Sequence, residues 1–376
     1  MKTRQTNGEE RGFSLIELLV VLAILAALTT VALRSVSGVQ GQAKYLQTTS
    51  SLNGIRDAII GPANLHGPDG SALVTGFVAD VGRLPVYQVS ASDPLGVNGD
   101  PLNELLSPNT IPIYGLATSA FDPGVQLFAG WQGPYVRIGA GPTFLRDGWG
   151  HSFHVYDNNG NLGTSAGATP IAQISSWGLD NVADTNHGGT GDTNGYDADI
   201  SIPNPASVAS GSFTYSGQLY GRVAMNWGLN NPSSGSPTPS SSGGPAPNAD
   251  DVNQPISVWV GFYGPNCTGP SPAVSQYFVE VFDSSATPPT GAPTYATALA
   301  NGFAFTIPAG AATIGPRLLR AYVLPGGTTN LNNVSTFNLA QAPTGSSLAL
   351  SPILPVTVVG GGQTIPSLVL PFYSQD

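Results

Sequence analysis

Charged side chains are scarce in this chain of 376 residues, with Asp, Glu, Lys and Arg together at 9%. Lysine occurs only at Lys2 and Lys44, and the formal net charge is −10. Nucleic acid is excluded as a partner, because its recognition needs clustered cations to displace counterions from phosphate. The lone cysteine, Cys267, cannot close an internal disulfide and is read as structural rather than reactive. That count suits a cytosolic chain, and equally an exported body large enough to be stable without a crosslink. No G-x-S-x-G elbow, phosphate-binding loop or dinucleotide fingerprint occurs. His151 and His154, three residues apart, would fall on opposite faces of a strand and make a poor chelate. His66 and His187 are read as incidental. No enzyme class gains positive support, and the chain is read as a non-enzyme.

Turn chemistry is abundant instead, with 48 glycines and 33 prolines. That balance suits turn-rich β structure, and the length predicts two folded parts. A long apolar run stands at the N-terminal end: FSLIELLVVLAILAALTTVAL from Phe13 to Leu33, with Arg11 before it and Arg34 after it. About 20 apolar residues span a bilayer as a helix, and basic residues ahead of them favour a cytoplasmic N-terminus. A secretory signal peptide would carry a small-x-small cleavage site after the run, and none is present. Glu17 sits inside the run, where an ionised carboxylate needs a partner.

The segment Arg11-Gly12-Phe13-Ser14-Leu15-Ile16-Glu17-Leu18 resembles the class III signal of type IV prepilins and type II secretion pseudopilins. The resemblance implies that a prepilin peptidase cuts on the cytoplasmic side, between Gly12 and Phe13, and that Phe13 is then N-methylated. The helix stays on the mature chain. Glu17 would pair with the freed amino group of a neighbouring pilin or pseudopilin subunit, a pairing that makes two buried charges tolerable. The implied location is the bacterial inner membrane, single-pass with a periplasmic C-terminus, and then an envelope-spanning or extracellular filament.

Beyond Arg34, helical character continues through Ala43, Leu46, Leu52, Ile55 and Ile59 until Gly61-Pro62. A helix from Phe13 to Ile60 would be about 70 Å long. Gly38 and Gly41 are plausible flexible points within it. Residues 66–205 hold four short signatures: GFVADVGRLP (76–85), GWQGPYV (130–136), DGWGHSFHVYDNNG (147–160) and ISSWGLDNVADTNHGGTGDTNGYDADI (174–200). His154-Val155-Tyr156 followed by Asp157-Asn158-Asn159-Gly160 reads as a strand entering a tight turn. Trp149 and Trp177 read as packing aromatics. The order of these signatures also resembles the globular part of the major pseudopilin, where a D-x-W-G segment precedes an aspartate loop.

Five aspartates crowd that loop: Asp180, Asp184, Asp192, Asp197 and Asp199. Such crowding repels unless a cation neutralises it, and hard oxygen donors on a Gly-rich loop suit calcium (Ca2+). A solvated acidic loop is the alternative. The resemblance favours calcium, and by position it makes Asp180 and the pair Asp197 and Asp199 the carboxylate ligands. The inserted Asp184, His187 and Asp192 depart from the family pattern.

Residues 231–250, NPSSGSPTPSSSGGPAPNAD, form a flexible loop or linker. Before them Phe213, Tyr215, Leu219, Val223, Met225 and Trp227 alternate with period two, the mark of a half-buried strand or hairpin. After them come ISVWVGFYG, SQYFVEVF, GFAFTIPAG, RLLRAYVLPGG, STFNLA and SLVLPFY, short strands at the spacing of a β-sandwich, immunoglobulin-like in pattern. The expected class is α+β. A leader (1–12) and a hydrophobic helix (13–62) precede a pilin-like β domain (63–205), and a C-terminal sandwich domain (206–376) follows, with residue 250 as the alternative boundary. Two roles fit: a structural subunit of a pilus or pseudopilus, or a minor tip pilin whose C-terminal domain binds a surface glycan or a secreted protein.

Overall fold

The computed structural model describes residues 14–62, 65–66, 74–88, 101–108, 110–137, 145–157, 159–163, 168–184, 195–203, 215–225, 256–283, 302–325, 331 and 350–370, apart from the side chains of a few of them, chiefly 32–38. Neither expected domain boundary, 206 nor 250, falls among them, and the same holds for Gly12, Phe13, His187, Asp192, the tract 231–250 and STFNLA.

Helix α1 runs unbroken from Leu15 to Ile60, 46 residues, through Gly38 and Gly41. It ends where the sequence places its stop: Gly61, at φ 83, donates its N–H to Asp57 O, and Pro62 follows. Thr48, Leu52, Ile55, Ala58 and Ile59 are buried, a stripe at helical spacing. Leu46, expected on that stripe, is 59% exposed; Thr48 takes its place, with its hydroxyl bonded back to Lys44 O at 2.9 Å. From Leu15 to Val31 the apolar side chains are exposed. Side chains are described only as far as Val31 in this apolar part, and among the described residues no helix is long and apolar enough to cross a membrane.

The short α2 (Phe77–Val81) is bracketed by Gly76 and Gly82, both at positive φ, and buries Phe77, Val78, Ala79 and Val81. Strand β1 (Val86–Gln88) leads to α3 (Asn103–Leu106) and the antiparallel hairpin of β2 (Gly115–Thr118) and β3 (Gln126–Ala129). Strands β4 (His154–Tyr156), β5 (Ala168–Pro170), β6 (Gln173–Ser176) and β7 (Ile200–Ile202) follow. Here β5 pairs with β1, and β4, β6 and β7 form a three-stranded antiparallel sheet. As expected, β4 enters a turn: Asp157 accepts from the N–H groups of Asn159 and Asn161, both at 2.8 Å.

Among the described residues, eight strands make up the C-terminal part. They are β8 (Gly217–Met225), β9 (Ile256–Asn266), β10 (Ala273–Asp283), β11 (Phe303–Ile307), β12 (Gly315–Pro325), β13 (Leu354–Val358), β14 (Gly361–Thr364) and β15 (Leu368–Leu370). One sheet has the order β10-β9-β12-β13, all antiparallel. The other centres on β8, with β11 antiparallel on one side and β14 and β15 in succession, parallel, on the other. Leu219, Val223, Phe305 and Ile307 of the second sheet share one buried cluster with Val260, Phe262, Leu319, Val356 and Val358 of the first. The alternation read around β8 is realised at Leu219 and Val223, whereas β13 and β14, in a Gly- and Pro-punctuated stretch, were not expected.

The two parts share cores. Leu52, Ile55 and Ile59 of α1 cluster with Phe77, Phe153 and Ile174, and also with Cys267 and Ile314 from the C-terminal part. Phe121 and Val125 join Trp259, Tyr263, Phe278 and Tyr322 in a third cluster. Cys267 is thus a core residue, and burial pushes its thiol up to about 11.

Candidate functional site

The N-terminal end of α1 is organised by Ser14 and Glu17. Ser14 Oγ accepts from Glu17 N at 3.3 Å, and Glu17 Oε2 accepts from Ser14 N at 3.0 Å. This reciprocal capping box satisfies two donors that a helix start leaves open, and it sets a carboxylate in the first turn, where the helix dipole favours it. Glu17 is thereby held against the backbone of the residue that follows Phe13.

A second organised region lies where the aspartate loop meets α1. Its arms, 177–184 and 195–199, are tied together: Asp184 Oδ2 accepts from Asp199 N at 2.8 Å, Asp199 Oδ2 accepts from Asp184 N at 3.2 Å, and Tyr196 O accepts from Leu179 N at 2.8 Å. Asp180 is exposed on a turn and accepts from Val182 N at 3.1 Å; Asp197 is half-buried. Among the described residues no three acidic, histidine or cysteine side chains come together as a metal group, so Asp180, Asp197 and Asp199 are not gathered into one ligand set there.

Asp147 of the D-x-W-G segment braces the neighbouring turn. Its buried carboxylate accepts from the N–H groups of Trp149 and His151 and from Ser176 Oγ at 2.7 Å. His151 Nδ1 lies 3.2 Å from Gly178 O. His154 stacks on Trp177 with ring centroids 3.4 Å apart, and Trp177 Nε1 donates to Tyr156 Oη at 3.0 Å. Burial holds His154 down at about 4, so the ring is neutral at ordinary pH. These contacts explain the tryptophan and histidines as packing, in line with the sequence reading of Trp177.

Residues 9–33 match the family model described as the prokaryotic N-terminal methylation motif. The N-terminal segment carries a class III signal. The match covers Gly12, Phe13, Glu17 and the apolar run, and it indicates a type IV pilin-like substrate of prepilin peptidase. A motif of this kind marks structural subunits rather than enzymes. No curated protein and no solved structure matches the chain significantly.

Sequence reasoning missed Tyr196 and Gly148, and it named Asp184 only as one of the crowded aspartates, without its structural role. Asp184 ties the loop arms, and Tyr196 reaches α1, where its ring contacts Gly41. Gly148 lets the D-x-W-G turn approach the helix backbone at Lys44 and donate to Thr48 Oγ1 at 2.8 Å. The place next to Asp147 was the available signal for Gly148 and the aspartate crowding for Asp184, whereas Tyr196 carries none in sequence.

Proposed function

We propose that this chain is a structural filament subunit. It is cut between Gly12 and Phe13, N-methylated at Phe13, held in the inner membrane by the first half of α1, and assembled through that helix into a type IV pilus or type II secretion pseudopilus. The single observation that carries the reading is the methylation motif at 9–33, placed at the start of a 46-residue helix whose described apolar first half is exposed in the single chain. Exposed apolar surface on that scale needs lipid or other helices to cover it. The body is read as pilin-like, with the C-terminal sheets as an immunoglobulin-like sandwich.

Calcium binding to the loop is part of the proposal on donor chemistry alone, with Asp180, Asp197 and Asp199 supplying hard carboxylate oxygens to stiffen it. A chelator should then lower protease resistance around 174–200, and Asp180→Ala should abolish that response. An unchanged chelator response in the variant removes Asp180 from the ligand set. A second reading, a rare tip subunit that binds a surface glycan or secreted cargo, is favoured by the described C-terminal strands beyond the likeness to pseudopilins.

The deciding experiment follows the chain in its own host. Gly12→Ala should keep Met1 in the membrane fraction at full length, while Glu17→Ala should be cut and methylated normally yet give few or no filaments. Normal filaments from Glu17→Ala would remove its assembly role. An intact Met1 on the wild-type chain would overturn the whole reading. Labelling along the shaft or only at tips separates the two roles.

A further inference from the structure

From 39 to 47, α1 stands clear of the body's core, and Gly41 is the only residue in that stretch that is not exposed. What covers it is Tyr196. A Cβ on Gly41 would stand 2.6 Å from Tyr196 Cε2 and 2.8 Å from Cδ2, so the ring lies flush against the helix backbone where no side chain intervenes. Tyr45, one turn on and on the same helix face, meets the same ring at 6.2 Å between centroids, tilted by 53°. The position of Tyr196 is itself set by the loop arms. Its carbonyl accepts from Leu179 N, and Asp199, three residues on, is bound reciprocally to Asp184. Gly178, at φ 68, allows the arms to close, since a Cβ there would stand 2.6 Å from Asp197 O and 2.7 Å from Tyr196 O.

We propose that Tyr196 is a positioning residue that couples the acidic loop to α1, so that any change in the Asp184–Asp199 clamp is transmitted to helix residues 39–47. The physical basis is a chain of contacts with little slack: two carboxylates fix the arms, the arms fix one aromatic ring, and the ring rests on a glycine. The second attachment, Gly148 at Lys44 and Thr48, lies further along and holds the helix where its buried stripe begins. Among the described residues Tyr196 is therefore the contact nearest the apolar half.

Hydrogen exchange by mass spectrometry on the full mature chain in detergent micelles tests this, without using assembly as a readout, so the result stands apart from the filament reading. Tyr196→Ala and Asp184→Ala should each speed exchange over 39–47 by about tenfold, with β9 unchanged as the control for folding. Tyr196→Phe should keep the wild-type rates, because the ring rather than the hydroxyl makes the contact. Gly41→Ala reads the coupling from the helix side and should speed exchange in 178–184. Wild-type rates over 39–47 in Asp184→Ala, or over 178–184 in Gly41→Ala, would overturn the coupling.

Discussion

Two half-buried titratable side chains pull the stability of this protein in opposite directions as pH changes. Asp80 lies beside Tyr135, whose hydroxyl donates to Asp80 Oδ2 at 3.0 Å. Burial pushes its carboxyl up to about 6, against the partial pull of that bond and of the Arg317 charge. Because the folded value is raised, its contribution is complete below the usual carboxylate value near 3.8 and is lost as pH rises through about 6. His154 is the reverse case: its contribution is complete above about 6.5 and is lost as pH falls towards about 4. Urea melts between pH 4 and 7 should show this in difference curves. Asp80→Asn should lose stability relative to wild type as pH falls, and His154→Phe, which keeps a ring on Trp177, should gain it. Parallel curves for all three proteins would mean that neither group carries the dependence. Residue chemistry of this kind was invisible in the sequence, where Asp80 is one acid inside GFVADVGRLP and nothing marks it as desolvated.

At the scale of elements, α1 was legible almost to its ends because its causes are local: an apolar run, helical spacing, and a Gly-Pro stop. Leu46 departs from the expected buried stripe because the partner surface decides what each residue does, leaving the leucine exposed and using Gly41 as a seat. The same holds for α2, only five residues long, which exists because Gly82 closes it in a left-handed turn. At Gly82, φ is 84 and a Cβ would stand 2.0 Å from Pro265 O, near the C-terminal end of β9 and in the other half of the molecule. Gly82→Ala should therefore cost at least about 2 kcal/mol, from left-handed strain plus displacement of a backbone carbonyl. The measurement is the urea midpoint at unchanged slope. A loss below about 0.5 kcal/mol would show that the junction yields freely.

For the whole molecule, the junction between the body that packs on α1 and the C-terminal sheets is held by buried polar groups as well as by shared apolar cores. Arg317, on β12 and 1% exposed, donates from Nη1 to Ala79 O at 3.0 Å and from Nη2 to Val78 O at 3.2 Å, capping the carbonyl end of α2. It also donates to Thr313 O, Pro316 O and Ile314 O of its own part. Burial lowers it to about 9, still charged at neutral pH. Asp122 adds a second tie, accepting from Arg320 Nη1 at 2.8 Å and from Tyr322 Oη at 2.7 Å. Removing Arg317 takes a charged donor from each of these carbonyls, at roughly 1–3 kcal/mol for any left unsatisfied, while Val78 O keeps the Gly82 N–H. Arg317→Met should thus destabilise by about 3 kcal/mol or more, and should expose α2 and β12 to hydrogen exchange together. Loss of protection in β12 alone would mean that the two parts are merely adjacent.

The class III signal, the long helix, the strand at His154–Tyr156 and most C-terminal strands were determined by the sequence itself, since each depends on neighbours within a few turns or on strict alternation. Tertiary structure alone decided which face of α1 is buried, that Asp184 and Asp199 bind each other's backbone, that Tyr196 reaches Gly41, and that Arg317 crosses to α2. Such pairings join residues up to 239 positions apart. Their energy comes from burial and from matched donors and acceptors, and neither exists until the distant segments have been brought together.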